Sequence, residues 1–82
     1  AQLSVRVIRP SDRLAAVKIS SDRFAQDIML SIQDTDVFYS DNGFCLDAGG
    51  KITVSVRQEK EGLKGKRMRI AAHNSAPVMV IL

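Results

Sequence analysis

The feature that most constrains the fold is a series of short segments with alternating apolar and polar residues, separated by turn-forming residues. The clearest is Lys51–Arg57, where Ile52, Val54 and Val56 alternate with polar side chains. A period of two places one strand face on a core and the other in water. Further candidate strands cover residues 3–7, 14–20, 24–32, 37–39, 67–73 and 78–82. About seven strands and no amphipathic helix predict an all-β fold, an immunoglobulin-like antiparallel β-sandwich, with a small barrel as the alternative.

The alternation also predicts which side chains face the core. The longest run, Phe24–Ile32, is predicted to be a central strand, with Phe24, Ile28, Leu30 and Ile32 on one side and Ala25, Asp27, Met29 and Ser31 on the other. Pro10 lacks a backbone donor and is predicted to end the first strand. Val78–Leu82 is apolar at every position, which predicts either two covered faces or contact with something outside the domain.

The rare residue types exclude several kinds of site. Cys45 is the only cysteine, so an internal disulfide is impossible, and we predict a small, semi-buried residue with no activating partner. His73 is the only histidine and is predicted to lie at an exposed strand position, not on a metal. No apolar run approaches the roughly 20 residues of a membrane span. These observations predict no cofactor, no metal and no membrane partner.

The net charge of +3 is concentrated in one segment. Residues 57–69 carry a net charge of +4, from Arg57, Lys60, Lys64, Lys66, Arg67 and Arg69 against Glu59 and Glu61. Such a cluster can bind nucleic acid or another anion. Few aromatic residues interleave with it, so we predict a solvated loop and a charged sheet face that protects an edge, with no nucleic-acid partner.

The carboxylates lie mainly in predicted turns, at Asp12, Asp22, Asp34, Asp36, Asp41 and Asp47. Aspartate in a turn usually bonds the nearby backbone. A calcium site using Asp34, Asp36 and Asp41 would lack the loop pattern and glutamate of a calcium-binding hand. We therefore predict no catalytic, cofactor-binding or metal-ligating residue.

Residues 37–50 combine aromatic, polar and turn-forming residues more closely than any other stretch. Val37–Tyr39 reads as a short strand, Asp41-Asn42-Gly43 as a turn, and Phe44 and Leu46 as alternating apolar positions before a second break at residues 48–50. Asp41 and Asn42 are predicted to bond backbone groups at a bend, although a sugar pocket is the alternative. Phe38, Tyr39 and Phe44 are predicted to anchor the core and this corner, with sugar stacking as the alternative.

Ser40-Asp41-Asn42, Phe44, Leu46 and Gly49 form a motif that resembles a known family. The chain is similar to the C-terminal immunoglobulin-like domain of β-mannosidases in glycoside hydrolase family 2, and the similarity is best over residues 14–57. It departs from that pattern at Gly43, Cys45 and Ala48, where the family has an aromatic residue, an acid and a proline.

The resemblance implies one domain over residues 1–82, forming the C-terminal part of a larger enzyme. The family's catalytic glutamates belong to a barrel domain that these residues do not include. The expected role is therefore to brace a barrel that cleaves terminal β-mannosides by a retaining mechanism. Its expected partners are other domains of the same polypeptide, and only the parent enzyme would bind an oligosaccharide substrate. From the family alone, the expected location is outside the cytosol. The alternatives are a free-standing protein-interaction module and a carbohydrate-binding module.

Overall fold

The alternating segments form antiparallel strands in the computed structural model, which describes residues 1–32, 37–58 and 62–82. In chain order the strands are β1 (Leu3–Ser11), β2 (Leu14–Ser21), β3 (Ala25–Ile32), β4 (Phe38–Tyr39), β5 (Phe44–Leu46), β6 (Lys51–Arg57), β7 (Arg67–Ala71) and β8 (Val78–Ile81). The described residues include no helix that could cross a bilayer.

The strands of the described residues form two four-stranded sheets, which make a sandwich. The first sheet has the order β1-β2-β6-β4 and the second has the order β5-β3-β7-β8, with all neighbours antiparallel. The predicted immunoglobulin-like sandwich is confirmed, and β3 is an interior strand as predicted.

The core lies between the sheets and takes side chains from both. Its largest fully buried side chains are Val17, Ile19, Ile28, Leu30, Val54, Val56, Leu63, Met68 and Ile70. Most lie on the predicted inward positions of β2, β3, β6 and β7, where burial of apolar surface stabilises the fold. Leu63 was predicted only as part of a loop, yet its side chain is completely buried.

A bulge in β3 reverses the prediction for its first residues. Phe24 was predicted to face the core but is 48% exposed, whereas Ala25 was predicted to face outward and is fully buried. The pairing with β5 shifts register between Ala25 and Ile28, and Asp27 between them has a φ of 53°. The extra residue restores the predicted alternation only from Ile28 onward.

Pro10 does not end β1, which continues to Ser11. The pairing with β2 is regular from Leu3 to Ile8 and then shifts register before Ser11. Because β1 is at the edge of its sheet and Pro10 lies in the irregular section, the missing backbone donor is tolerated there.

β8 is an edge strand that is covered on one face only. Val78 and Val80 pack against the core, whereas the side chains of Met79 and Ile81 are exposed. Two covered faces were one of the predicted alternatives, and that alternative is wrong. Gln33-Asp34-Thr35-Asp36, a polar stretch that predicts a turn, lies outside the described residues. Residues 58–65, which contain several charges and two glycines, predict a loop, with a short helix over residues 58–63 as the alternative, and residues 59–61 also lie outside the described residues.

Candidate functional site

The described carboxylates are separated along the fold. Asp12, Asp22, Asp41 and Asp47 lie in connections between strands, Asp27 lies in the β3 bulge, and all five are exposed. In the described ranges, no group of three acidic, histidine or cysteine side chains could hold a metal ion. Asp34 and Asp36 lie outside these ranges. The remaining candidates are therefore surfaces and a structural corner.

The polar corner, Ser40–Gly43, carries the chain from the first sheet to the second. Ser40 bonds to β6 of the first sheet: its backbone N–H donates to Ser55 O (2.9 Å), and its Oγ accepts from Ser55 N–H (2.8 Å). Asn42 bonds to β3 of the second sheet: its Oδ1 accepts from Leu30 N–H (2.8 Å), and its Nδ2 donates to Leu30 O (3.0 Å). Two side chains, two positions apart, thus fasten the crossover to both layers.

The amide of Asn42 takes the place of a peptide group beside β3. The backbone ladder between β3 and β5 pairs Ile28 with Phe44, and Gly43 N–H donates to Ile28 O at 2.9 Å. Beyond that point the side chain of Asn42 satisfies both backbone groups of Leu30, as a further strand residue would. Gly43 has a φ of 69°, which a glycine adopts without strain.

Asn74 makes a similar contact near the start of β3, and the sequence interpretation missed it. Its Nδ2 donates to Phe24 O (2.7 Å) and its Oδ1 accepts from Gln26 N–H (3.0 Å). The backbone O of Asn74 also accepts from the amino group of Ala1 (2.7 Å). The available signal was an asparagine immediately after a strand, which sequence alone does not distinguish from an ordinary turn residue.

The other motif residues lie around the second crossing, from β5 back to β6. Leu46 is buried, and Phe44 is half-buried against the core. Gly49 has a φ of 75° and donates its N–H to Ser21 O at 2.8 Å, which connects this crossing to the end of β2. The structure therefore places the six motif residues along one continuous path between the sheets.

Asp22 holds the first strand to the end of the second. Its Oδ1 accepts from Gln2 N–H at 2.6 Å, and its own N–H donates to Gln2 O at 3.3 Å. The bond from the Gln2 backbone is the main reason that the pKa of Asp22 lies below its ordinary value, because it stabilises the ionised carboxylate.

Phe38 does not anchor the core, contrary to prediction. Its side chain is 61% exposed, and the Arg57 guanidinium carbon lies 5.6 Å from the ring centroid. Phe38 pairs with Arg57 of β6, and both side chains project away from the core. The next residue, Tyr39, packs against the core, and burial raises the pKa of Tyr39, partly offset by a hydrogen bond with the Ile32 backbone.

The outward residues of β3, β7 and β8 form a mixed apolar and basic surface, here called the β8 face, which comprises Met29, Ser31, Arg67, Arg69, Met79 and Ile81. Met79 is 58% exposed and pairs with Arg69, and Ile81 is 69% exposed and pairs with Arg67. Ser31, Arg67, Arg69 and Met79 line an open groove of about 460 Å³. Apolar side chains at an exposed edge of a sheet favour an interaction surface.

Comparison with known proteins agrees with this architecture. The Ig_mannosidase family, described as an Ig-fold domain, matches residues 1–73. The chain belongs to this mannosidase-associated Ig-fold family. No curated protein and no solved structure gives a significant match. The family match includes the polar corner and β1 to β7, whereas β8 lies beyond the matched residues.

Other predicted residues of this Ig-fold domain are dispersed. Cys45 was predicted to be semi-buried but is exposed, because it points outward between Phe44 and Leu46. His73 is exposed as predicted, but it lies in the turn after β7 and not in a strand, with its Nδ1 3.9 Å from Asp27 Oδ2. The described part of the basic segment divides between β6, the loop before β7 and the outer face of β7, while Lys60 lies outside the described residues.

Proposed function

We propose that this Ig-fold domain is a non-catalytic module of a larger β-mannosidase-like glycoside hydrolase, where it braces a catalytic barrel that removes terminal β-mannosides. Membership of the mannosidase-associated family supports the setting. The bracing role rests on one observation: Met79 and Ile81 of the β8 face are apolar side chains that lie exposed on an edge strand. Its partner is another domain of the same polypeptide.

The composition of the β8 face supports burial against a protein. It combines Met29, Met79 and Ile81 with Arg67 and Arg69. Methionine and arginine are enriched at protein interfaces, whereas lysine is depleted. Arginine also loses less hydration than lysine when it is buried at an interface.

The exposed aromatic side chain of Phe38 is not part of the β8 face. Phe38 belongs to the first sheet and points away from the core, whereas the β8 face is the outer surface of the second sheet. A single flat interface therefore does not cover both surfaces. We assign the docking role to the β8 face because it contains several neighbouring apolar and arginine side chains.

Removing the apolar side chains of β8 tests this role. The M79Q/I81T variant keeps the net charge, and threonine retains the strand preference of isoleucine. Its control is I8T/L14Q, which makes the same kinds of change at Ile8 and Leu14, two exposed apolar residues of the first sheet. Each chain is titrated calorimetrically into the remainder of its parent polypeptide, produced separately.

We expect the wild type and the control to bind alike and the β8 variant to bind about tenfold more weakly or worse, since each buried apolar side chain contributes about 1.5–3 kcal/mol. Equal binding by all three chains, or no binding by the wild type, would contradict the proposal. Circular dichroism establishes that each variant is folded.

The exposed ring of Phe38 favours one alternative, a carbohydrate-binding module. An aromatic face on a sheet surface can stack on a sugar ring, and this ring is 61% exposed. Titration of the chain with a mannose-containing oligosaccharide decides between the two functions. Binding that is lost in Phe38→Ala supports the alternative, and an absence of binding supports the bracing role.

A further inference from the structure

A second surface, on the outer face of the first sheet, places three cations together. Arg6 on β1 lies directly opposite Lys18 on β2, and Lys18 lies opposite Thr53 on β6. In the adjacent row, Ser4 lies opposite Ser20, and Ser20 opposite Lys51. We call Ser4, Arg6, Lys18, Ser20, Lys51 and Thr53 the cationic face.

The like charges in this face are unbalanced. Arg6 and Lys18 form a direct cross-strand pair, an arrangement that destabilises an isolated sheet. Within residues 1–32, 37–58 and 62–82, no carboxylate forms an ion pair with Arg6, Lys18 or Lys51. The nearby carboxylate of Asp22 accepts from the Gln2 backbone instead. The fold thus holds three cations in proximity without supplying an anion.

The same side chains border a shallow, wide-open recess on the sheet. All six residues of the cationic face line an open groove of about 430 Å³. The three hydroxyl groups add hydrogen-bond donors between the cations, and all three can donate to an anionic oxygen. Charge and hydrogen bonding therefore point to a ligand that carries several anionic oxygens.

Spacing and composition distinguish between ligand classes. Directly opposite side chains have Cβ atoms about 5 Å apart, and diagonal neighbours such as Lys18 and Lys51 are about 7–8 Å apart. This spacing is close to the roughly 6.6–6.8 Å between alternate side chains of an extended peptide, so each cation can meet a separate carboxylate of such a chain. The face contains no aromatic side chain, whereas single-stranded nucleic acids are usually bound by aromatic stacking.

We propose that the cationic face binds an acidic protein segment in which carboxylates occupy alternate positions of an extended chain. The carboxylates pair with Arg6, Lys18 and Lys51, and the hydroxyls of the face donate to their remaining oxygens. This surface belongs to the opposite sheet from the β8 face, so the proposal goes beyond the bracing role and can fail independently of it.

The test uses the 82-residue chain and a short blocked peptide of alternating glutamate and glycine. The R6Q/K18Q/K51Q variant removes the three cations, and R13Q/K64Q/K66Q is the control because it makes the same change in net charge at three positions in connections between strands, outside both faces. Binding is followed by backbone amide chemical shifts and by calorimetry. The glutamine version of the peptide and inorganic phosphate serve as comparison ligands.

We expect chemical-shift changes at the amides of Lys18, Lys51 and Thr53 when the acidic peptide binds. The first variant should bind the peptide about tenfold more weakly, because each exposed ion pair contributes little binding free energy but three are lost together. Binding also weakens with added salt, and the control stays within about twofold of the wild type. Urea unfolding should show the first variant to be at least as stable as the wild type, because the repulsion between Arg6 and Lys18 is removed. Equal weakening in both variants, binding of the glutamine peptide, or phosphate binding as tight as that of the acidic peptide would overturn the proposal.

Discussion

At the scale of single residues, two asparagine side chains replace missing strand partners beside β3. Asn42 bonds the backbone of Leu30, and Asn74 bonds the backbone of Phe24 and Gln26. An amide carries both a donor and an acceptor, so one side chain can satisfy the N–H and the C=O of a strand. These residues therefore extend the sheet where the neighbouring strands are too short.

Replacing Asn42 with alanine should lower the free energy of unfolding by about 1–3 kcal/mol, because the N–H and C=O of Leu30 lose their partner. Asn42→Asp should be destabilising as well, since a carboxylate cannot donate to Leu30 O. The control is Ser31→Ala at an exposed position of the same strand, which should change stability by no more than about 0.5 kcal/mol. Urea denaturation measures all three; an Asn42→Ala variant as stable as the control would show that the corner does not fasten the sheets.

The lowered pKa of Asp22 predicts how the stability of the domain changes with pH. Its pKa in the folded chain is lowered from 3.8, so its contribution to stability is present above that pH and is lost as the pH falls through the lower, folded value. Asp22→Asn should therefore be less stable than the wild type near neutral pH. The stability difference should shrink as the medium is made more acidic than pH 3.8. Urea denaturation across the acid range tests this, and a difference that is constant with pH would refute it.

At the scale of elements, the bulge in β3 decides which residues enter the core. Asp27 has a φ of 53°, in the left-handed region where aspartate is tolerated better than most side chains. The bulge lets Ala25 and Ile28 both face inward although they are three positions apart. It also leaves Phe24 at the surface, next to the backbone contact with Asn74.

A β-branched residue should not tolerate this conformation. Asp27→Val should destabilise the domain by about 1–2 kcal/mol, the typical cost of a left-handed residue with a bulky Cβ. Asp27→Gly should be neutral or slightly stabilising, because glycine adopts a positive φ freely. Met29→Val, at a regular exposed position of β3, serves as the control. If thermal denaturation finds the two valine variants equally stable, the backbone at Asp27 is not strained as described.

The alternation of residues predicted most of this architecture because strand faces follow directly from it. Val17, Ile19, Val54, Val56, Met68 and Ile70 all face the core as expected. The errors occur where one residue departs from the period: the bulge at Asp27 inverted Phe24 and Ala25, and the irregular end of β1 accommodated Pro10. The sequence could not show that Leu63, which lies in a loop, has a side chain buried in the core. A single apolar residue among charged ones gives no alternating pattern from which burial could be predicted.

The surfaces were less predictable than the core. Composition identified the apolar β8 segment, but only the sheet order shows that β8 is an edge strand with Met79 and Ile81 exposed. The cationic face could not be found from the sequence because Arg6, Lys18 and Lys51 are far apart along the chain and meet only through strand register. The basic cluster that the sequence does indicate, at residues 57–69, consists of cations that are close together along the chain.

At the scale of the whole molecule, this Ig-fold domain offers two different outer faces on a shared core. The β8 face presents methionine, isoleucine and arginine, and the cationic face presents lysine, arginine and hydroxyl groups. A sandwich of this kind can contact one partner on each side, as expected for a module that stabilises a larger assembly. Under the proposed function, the domain supports a reaction that takes place in another domain of the same polypeptide.

The most direct test of the proposed function is the thermal inactivation of the β-mannosidase activity that we propose for the parent enzyme, measured with and without residues 1–82. We predict that the enzyme lacking them keeps its turnover at low temperature but loses activity faster on heating, and that adding the separate chain restores the half-life. The chain alone should hydrolyse no mannoside. An unchanged half-life, or mannoside hydrolysis by the purified chain itself, would contradict the account.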